Sequence, residues 1–170
     1  MTNIDQIIDK LTLKEKISLL SGFNSWYTNK IEEKNVPSIK MSDGPNGVRG
    51  DSNSGKSSAC FPCAISIGST WDLKLINDIG IALGEEAQAK DVDVLLGPTI
   101  NIHRHPLGGR HFESFSEDPF LTGKIATNYV QGVQSKNVAA CLKHFVGNDT
   151  EYQRHSISSN IDEQTLREIY

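Results

Sequence analysis

A chain of 170 residues with 37% hydrophobic content can bury one sizeable core and implies no separate second domain. Its net charge of -4, with Lys and Arg scattered rather than striped, argues against a nucleic-acid or anionic-membrane partner and suits a small neutral ligand. No basic leader or long apolar span opens the sequence, and Cys60, Cys63 and Cys141 leave one thiol unpaired in any disulfide scheme, so the expected compartment is the cytosol.

In chain order, Asn3-x-x-Gln6 precedes Ile4, Ile7, Ile8 and Leu11, and Thr12-x-x-Glu15 forms a capping box before Ile17, Leu19 and Leu20. These patterns predict two short helices, the second closed by Gly22. A strand over 38–41 then opens into Ser42-Asp43-Gly44-Pro45-Asn46-Gly47-Val48-Arg49-Gly50, and the polar stretch 51–58 reads as a surface loop. Cys60-Phe61-Pro62-Cys63 has the spacing of a redox or zinc motif. With no second C-x-x-C and no nearby His pair, a small apolar pair in a loop is the preferred reading.

Thr70 is placed to cap a helix over 71–90 whose Leu73, Ile76, Ile79 and Leu83 share one face. A strand over 92–96 runs into Gly97-Pro98-Thr99. Asp118 as N-cap and Pro119 as first residue start a helix over 119–136, with Leu121, Ile125, Tyr129, Val130 and Val133 inward. An apolar strand over 138–145 follows, then a helix opened by Asn160-x-x-Glu163 that carries Leu166, Ile169 and Tyr170. The alternation predicts βα units on a parallel sheet. Three strands leave open edges and helix faces without neighbours, so a fragment of a larger domain is expected.

Lys143 and His144 sit near the end of the apolar run from Val138. A buried ammonium costs several kcal/mol unless it is compensated, so this strand end is expected to face an acidic or hydroxyl-rich pocket. In parallel α/β folds ligands meet the loops after strand C-termini, and here those loops hold Asp43, Arg49, Arg110, Lys143, His144 and Arg154. A carboxylate that accepts from vicinal hydroxyls, beside cations that donate, suits a sugar ring.

Each residue also has a plain reading. Asp43 to Gly47 describes consecutive turns, without the terminal Gly-Lys-Ser/Thr of a phosphate loop. Arg110 and Glu113 suit a loop-bracing ion pair, and Arg154 a solvated cation. His103, His105 and His111 lack compact metal-ligand spacing, and Trp71, directly after a helix cap, suits core packing better than sugar stacking.

Together, Ser42 to Gly50, Leu95-Leu96-Gly97-Pro98-Thr99-Ile100-Asn101-Ile102, Gly108 to Pro119 and Lys143-His144-Phe145 resemble glycoside hydrolase family 3, over nearly the whole chain from about Leu11. Cys60 to Cys63 and Ser69-Thr70-Trp71-Asp72 also resemble segments of the β-glucosidase branch, while Val146-Gly147-Asn148-Asp149 after Phe145 departs from the β-N-acetylglucosaminidase pattern. The resemblance implies the first three βα units of a truncated TIM-type (β/α)8 barrel, preceded by short helices and forming a partial amino-terminal domain over 1–170. It implies that Asp43, Arg49, Arg110, Lys143, His144 and Arg154 hold the non-reducing terminal glucose of a small β-glucoside or oligosaccharide. A retaining mechanism would draw its nucleophile from a later barrel strand and its acid/base from a following domain, so no catalytic residue, metal or organic cofactor is expected within these residues. The partners implied are the sugar and the remainder of the barrel with the following domain. The alternatives are a non-catalytic sugar-binding or complementing fragment and a thiol-based module at Cys60 and Cys63.

Overall fold

The computed structural model describes residues 4–50 and 56–170, which divide between Met41 and Ser42 into two compact units. In the first unit, α1 spans Ile4–Lys10 and α2 Leu13–Ser18. The expected capping box is present: Glu15 N–H donates to Thr12 Oγ1 at 3.3 Å, and Thr12 N–H donates to Glu15 Oε2 at 2.7 Å. Asn3, the expected cap of α1, lies outside the described residues. The helix α2 is shorter than expected and ends on Leu19, not Gly22, with Leu19 N–H bonding back to the Glu15 carbonyl at 3.1 Å. Gly22 instead bridges Thr28 in the turn structure that follows.

The second unit is built on a three-stranded sheet in the order β1-β2-β3, with β1 at Met41–Asp43, β2 at Val94–Leu96 and β3 at Ala139–Ala140. Strands β2 and β3 are parallel, Val94 opposite Ala139 and Leu95 opposite Ala140, as the βα alternation predicts. The strands are displaced or shorter than their apolar runs. The run 138–145 holds only two strand residues, although the ladder bonding continues to Cys141, whose N–H donates to the Leu95 carbonyl at 2.9 Å. Beyond β3, Lys143 returns to the sheet through a parallel bridge to Thr99, its N–H donating to the Pro98 carbonyl at 3.0 Å and its carbonyl accepting from Ile100 at 2.7 Å.

Helix α3, Ala64–Gly68, was not expected; Cys63 is its N-cap. Its last turn explains a second correction. Thr70 donates its hydroxyl back to the Ile67 carbonyl at 2.7 Å, so it belongs to the end of α3, and Asp72 caps α4, Leu73–Ala89, by accepting Leu75 N–H at 3.0 Å. Between them Trp71 takes a positive φ of 56° and is 75% exposed, which overturns the core reading of that residue. Helix α5, Pro119–Gln134, starts as expected, with Asp118 Oδ1 accepting Phe120 N–H at 2.8 Å. Helix α6, Glu163–Glu168, is capped by Asp162 rather than Asn160, whose side chain accepts from Ser158 Oγ at 3.2 Å instead.

The core lies between the sheet and helices α4 and α5, where Ile76, Leu83, Leu95, Ile125 and Val133 are fully buried. Burial at this level contributes about 1.5–3 kcal/mol per large side chain. Helices α4 and α5 approach backbone to backbone through Gly80 and Gly132: a Cβ on Gly132 would lie 2.3 Å from the Asn77 carbonyl oxygen, and one on Gly80 2.4 Å from that of Tyr129. Tyr129 donates its hydroxyl to the Pro45 carbonyl at 2.8 Å, tying α5 to the loop after β1. Burial holds that phenol far above its usual range, so it keeps the proton it donates to Pro45. No helix among the described residues is long and apolar enough to cross a membrane.

Candidate functional site

The loop after β1 begins with a turn that only glycine fits. Gly44 has φ 120°, and a Cβ there would meet the Gly47 carbonyl oxygen at 1.9 Å. The tight turn sends the chain back, so that Arg49 N–H donates to the Asp43 carbonyl at 3.0 Å and both side chains line one cleft of about 270 Å³. Ala59, Cys60, Phe112 and Glu113 form its other walls.

Lys143, from the third strand unit, donates Nζ to Asp43 Oδ1 at 2.8 Å; the two side chains are 16% and 29% exposed. Burial pushes the Asp43 carboxyl up. The Lys143 hydrogen bond and charge, the Gly44 N–H and the Arg49 charge together outweigh burial and hold it below the usual carboxylate range. The compensating partner that the partly buried Lys143 required is therefore Asp43, 100 residues away.

The second loop contributes Arg110, whose Nε donates to Glu113 Oε1 and whose Nη1 lies 3.4 Å from Glu151 Oε1. Hydrogen bonding to Glu113 raises Arg110 against the opposing effect of burial. Glu151 is the hub of this side: it accepts from Arg154 Nη1 at 3.0 Å and from Asn148 Nδ2 at 3.2 Å. Burial raises its carboxyl, but Asn148, Arg110 and Arg154 hold it low. Arg154, the most exposed of the six candidates with a described ion pair, sits at the rim with 46% of its side chain in solvent.

His144 faces the cleft of about 410 Å³ that Arg110 and Arg154 also line. Its Nδ1 is 2.9 Å from Asn101 Oδ1, an oxygen that also accepts the His144 backbone N–H at 3.1 Å, while Asn101 Nδ2 donates to the Asn148 carbonyl at 2.7 Å. These partners fix the amide orientation, so Nδ1 carries the proton and Nε2 is left as an acceptor. Burial, then the Arg110 and Lys143 charges, depress the imidazole; Glu113 and Glu151 oppose them but do not prevail.

Five of the six expected residues thus line two clefts joined through the Arg110–Glu113 pair, Asp43 and Arg49 the first and Arg110, His144 and Arg154 the second, while Lys143 is tied to the first through its ion pair with Asp43. The ion pair expected as a plain reading of Arg110 is present and is part of this arrangement. The histidines of the same loop brace it: His103 Nε2 is 3.0 Å from the Ser114 carbonyl oxygen, His111 Nε2 bonds to the His105 carbonyl, and the His103 and His111 rings lie 4.9 Å apart. Among the described residues no group of three or more His, Cys, Asp or Glu is arranged to hold a metal, and Cys60, Cys63 and Cys141 are free thiols.

Sequence reasoning gave Asn101 no role and did not identify Glu151 as a partner of both arginines. Nothing in a linear sequence marks Asn101, since its partners are His144 and Asn148.

The domain described as the N-terminal domain of glycosyl hydrolase family 3 matches residues 6–170, and the chain belongs to that family. It is 56% identical to a β-glucosidase of Rhizobium radiobacter, over 98% of this chain and 21% of that protein. It is 52% identical to β-glucosidase B of Emericella nidulans, over 98% of this chain and 20% of the relative. The β-glucosidase of Kluyveromyces marxianus in complex with glucose superimposes with a TM-score of 0.95 at 47% identity, over the whole of this chain and 21% of that one. β-Glucosidase 3B of Thermotoga neapolitana in complex with glucose gives 0.89 at 39% identity, over 98% and 26%. The chain thus spans about a fifth of the length of the curated relatives it matches.

Proposed function

We propose that these residues supply the subsite for the terminal non-reducing glucosyl unit in a retaining β-glucosidase, and that they form the first three βα units of a (β/α)8 barrel. The observation that carries the reading is the 2.8 Å pair between Asp43 and Lys143, which joins the tips of the first and third strand units beside Arg49. Support comes from the relatives named as β-glucosidases and from the two related enzymes solved with glucose.

In this reading Asp43, held ionised, accepts hydrogen bonds from adjacent sugar hydroxyls. Lys143 and the three arginines donate to hydroxyl oxygens, and His144 Nε2 accepts a further hydroxyl proton. Hydrogen bonds to charged groups contribute roughly 1.5–3 kcal/mol each, enough for several to hold a neutral sugar against its hydration. The nucleophile that attacks the anomeric carbon and the acid that protonates the leaving oxygen come from the rest of the polypeptide. That remainder also covers the groove of about 430 Å³ lined by Ala126 and Val130 of α5 with Leu142, Val146 and Ile169, whose apolar walls suit a further barrel helix better than a sugar. The cytosolic location expected from the odd cysteine number belongs to the same proposal.

The test is calorimetric titration of glucose into the complete polypeptide. Saturable binding that Asp43→Ala abolishes supports the subsite; unchanged binding in that variant refutes it.

A further inference from the structure

Glu86 and Lys90 lie one turn apart at the end of α4, with side chains only 15% and 3% exposed and Nζ 3.7 Å from Glu86 Oε1. Neither charge is directed at solvent. Glu86 Oε2 accepts Val48 N–H at 2.6 Å, and Oε1 accepts Ala59 N–H at 2.5 Å. Lys90 donates to the Val48 carbonyl and to Ser58 Oγ, and Ser58 in turn donates its hydroxyl to that carbonyl at 2.6 Å. The pair therefore satisfies the N–H and the carbonyl of Val48, a fully buried residue, and holds a second segment ten residues further on.

These two segments are walls of the Asp43 cleft. Val48 precedes Arg49, and Arg49, Ala59 and Cys60 all belong to the same lining. The following residue is held as well: Gly50 N–H donates to Ser42 Oγ at 2.9 Å, and a Cβ on Gly50 would lie 2.9 Å from Lys90 Cδ. A buried ion pair is often no more stabilising than apolar side chains of the same volume. Its distinguishing effect is directional, because each oxygen and proton fixes one backbone group.

We infer that Glu86 and Lys90 are positioning residues for sugar recognition, acting through the backbone of Val48 to set the guanidinium of Arg49 against Asp43. The inference rests on the proposed glucose subsite. It assigns to the far end of α4 a share in ligand affinity without contact with the ligand.

A double-mutant cycle in the complete polypeptide tests it, with glucose Kd read by calorimetry and thermal midpoints recorded alongside. Glu86→Gln keeps the shape of the side chain but turns an amide NH2 toward one of the two loop N–H groups. It is expected to weaken glucose roughly five- to tenfold. In an Arg49→Ala background the same change is expected to cost less than about twofold, because the residue it positions is gone. Ser58→Ala, a milder change, should show a smaller loss with the same dependence on Arg49, and it decides the matter if Glu86→Gln does not fold. Wild-type affinity in Glu86→Gln, or an equal loss with and without Arg49, overturns the positioning role even if the thermal midpoint falls. If Arg49→Ala alone leaves glucose binding unchanged, the subsite reading and this inference fail together; if it weakens binding while Glu86→Gln does not, only the inference fails.

Discussion

The imidazole of His144 and the side-chain oxygen of Asn101 form a closed pair, in which Asn101 Oδ1 receives both Nδ1–H at 2.9 Å and the backbone N–H of the same histidine at 3.1 Å. The ring is thereby held as the Nδ1–H tautomer, with Nε2 bare at the cleft. Burial, Arg110 and Lys143 lower its proton affinity, so the neutral form is present above the ordinary imidazole value and persists until the pH falls through the depressed one.

In 15N-resolved NMR of the histidine ring, Nε2 of His144 should carry no proton at pH 7. Asn101→Asp sets a carboxylate against Nδ1, raises the imidazole, and should protonate Nε2 near neutrality, weakening glucose about tenfold as an acceptor becomes a donor. A protonated Nε2 in the unaltered protein at pH 7 contradicts the tautomer.

Asp43 supplies the acid-side dependence. Its folded carboxyl lies below the unfolded value, so its contribution to stability is fully present above the ordinary carboxylate range and is lost as the pH falls through the lowered folded value. Lys143→Met leaves burial unopposed by its largest counterweight, and the Asp43 titration should move upward, with a stability loss of about 2 kcal/mol. A 13C carboxyl titration reads the midpoint; an identical midpoint in Lys143→Met would show that the pair does not set it.

The contact between α4 and α5 separates two glycines on one helix. At Gly132 an added Cβ would press on the Asn77 carbonyl oxygen at 2.3 Å and the Ile81 nitrogen at 2.8 Å, both backbone atoms of the facing helix. Gly132→Ala should therefore cost about 2–3 kcal/mol despite the better helix propensity of alanine. In the 170 residues expressed alone, Gly123→Ala, where nothing lies within 4 Å, should instead stabilise by about 0.5–1 kcal/mol. Thermal melting of the two variants is expected to shift in opposite directions, and a shared direction would remove the close-packing argument.

The 170 residues expressed alone should turn over no aryl β-glucoside once host enzymes are excluded, since under the proposed mechanism the covalent route needs a carboxylate from elsewhere in the polypeptide. Release of aglycone above the buffer rate would refute that assignment.

What the sequence disclosed follows the range of the interaction. The Thr12–Glu15 box and the Asp118–Pro119 start are contacts between residues a few positions apart, and both stand as expected. Thr70 misled because two caps were available within three residues, and the choice depended on the end of α3, a helix whose five residues leave little periodic signal. Asp43 and Lys143 stood out because charges in or beside apolar strands need a reason, although only the fold reveals that each is the reason for the other. Glu151 gave no such sign, since its two arginines come from different loops.

The sheet order β1-β2-β3 repeats the order of the chain. No strand must be inserted between neighbours that have already met, so each unit can dock on the growing edge as it leaves the ribosome. The tie from Lys143 back to Asp43 spans 100 residues, so the cleft cannot close before the third strand unit has been made.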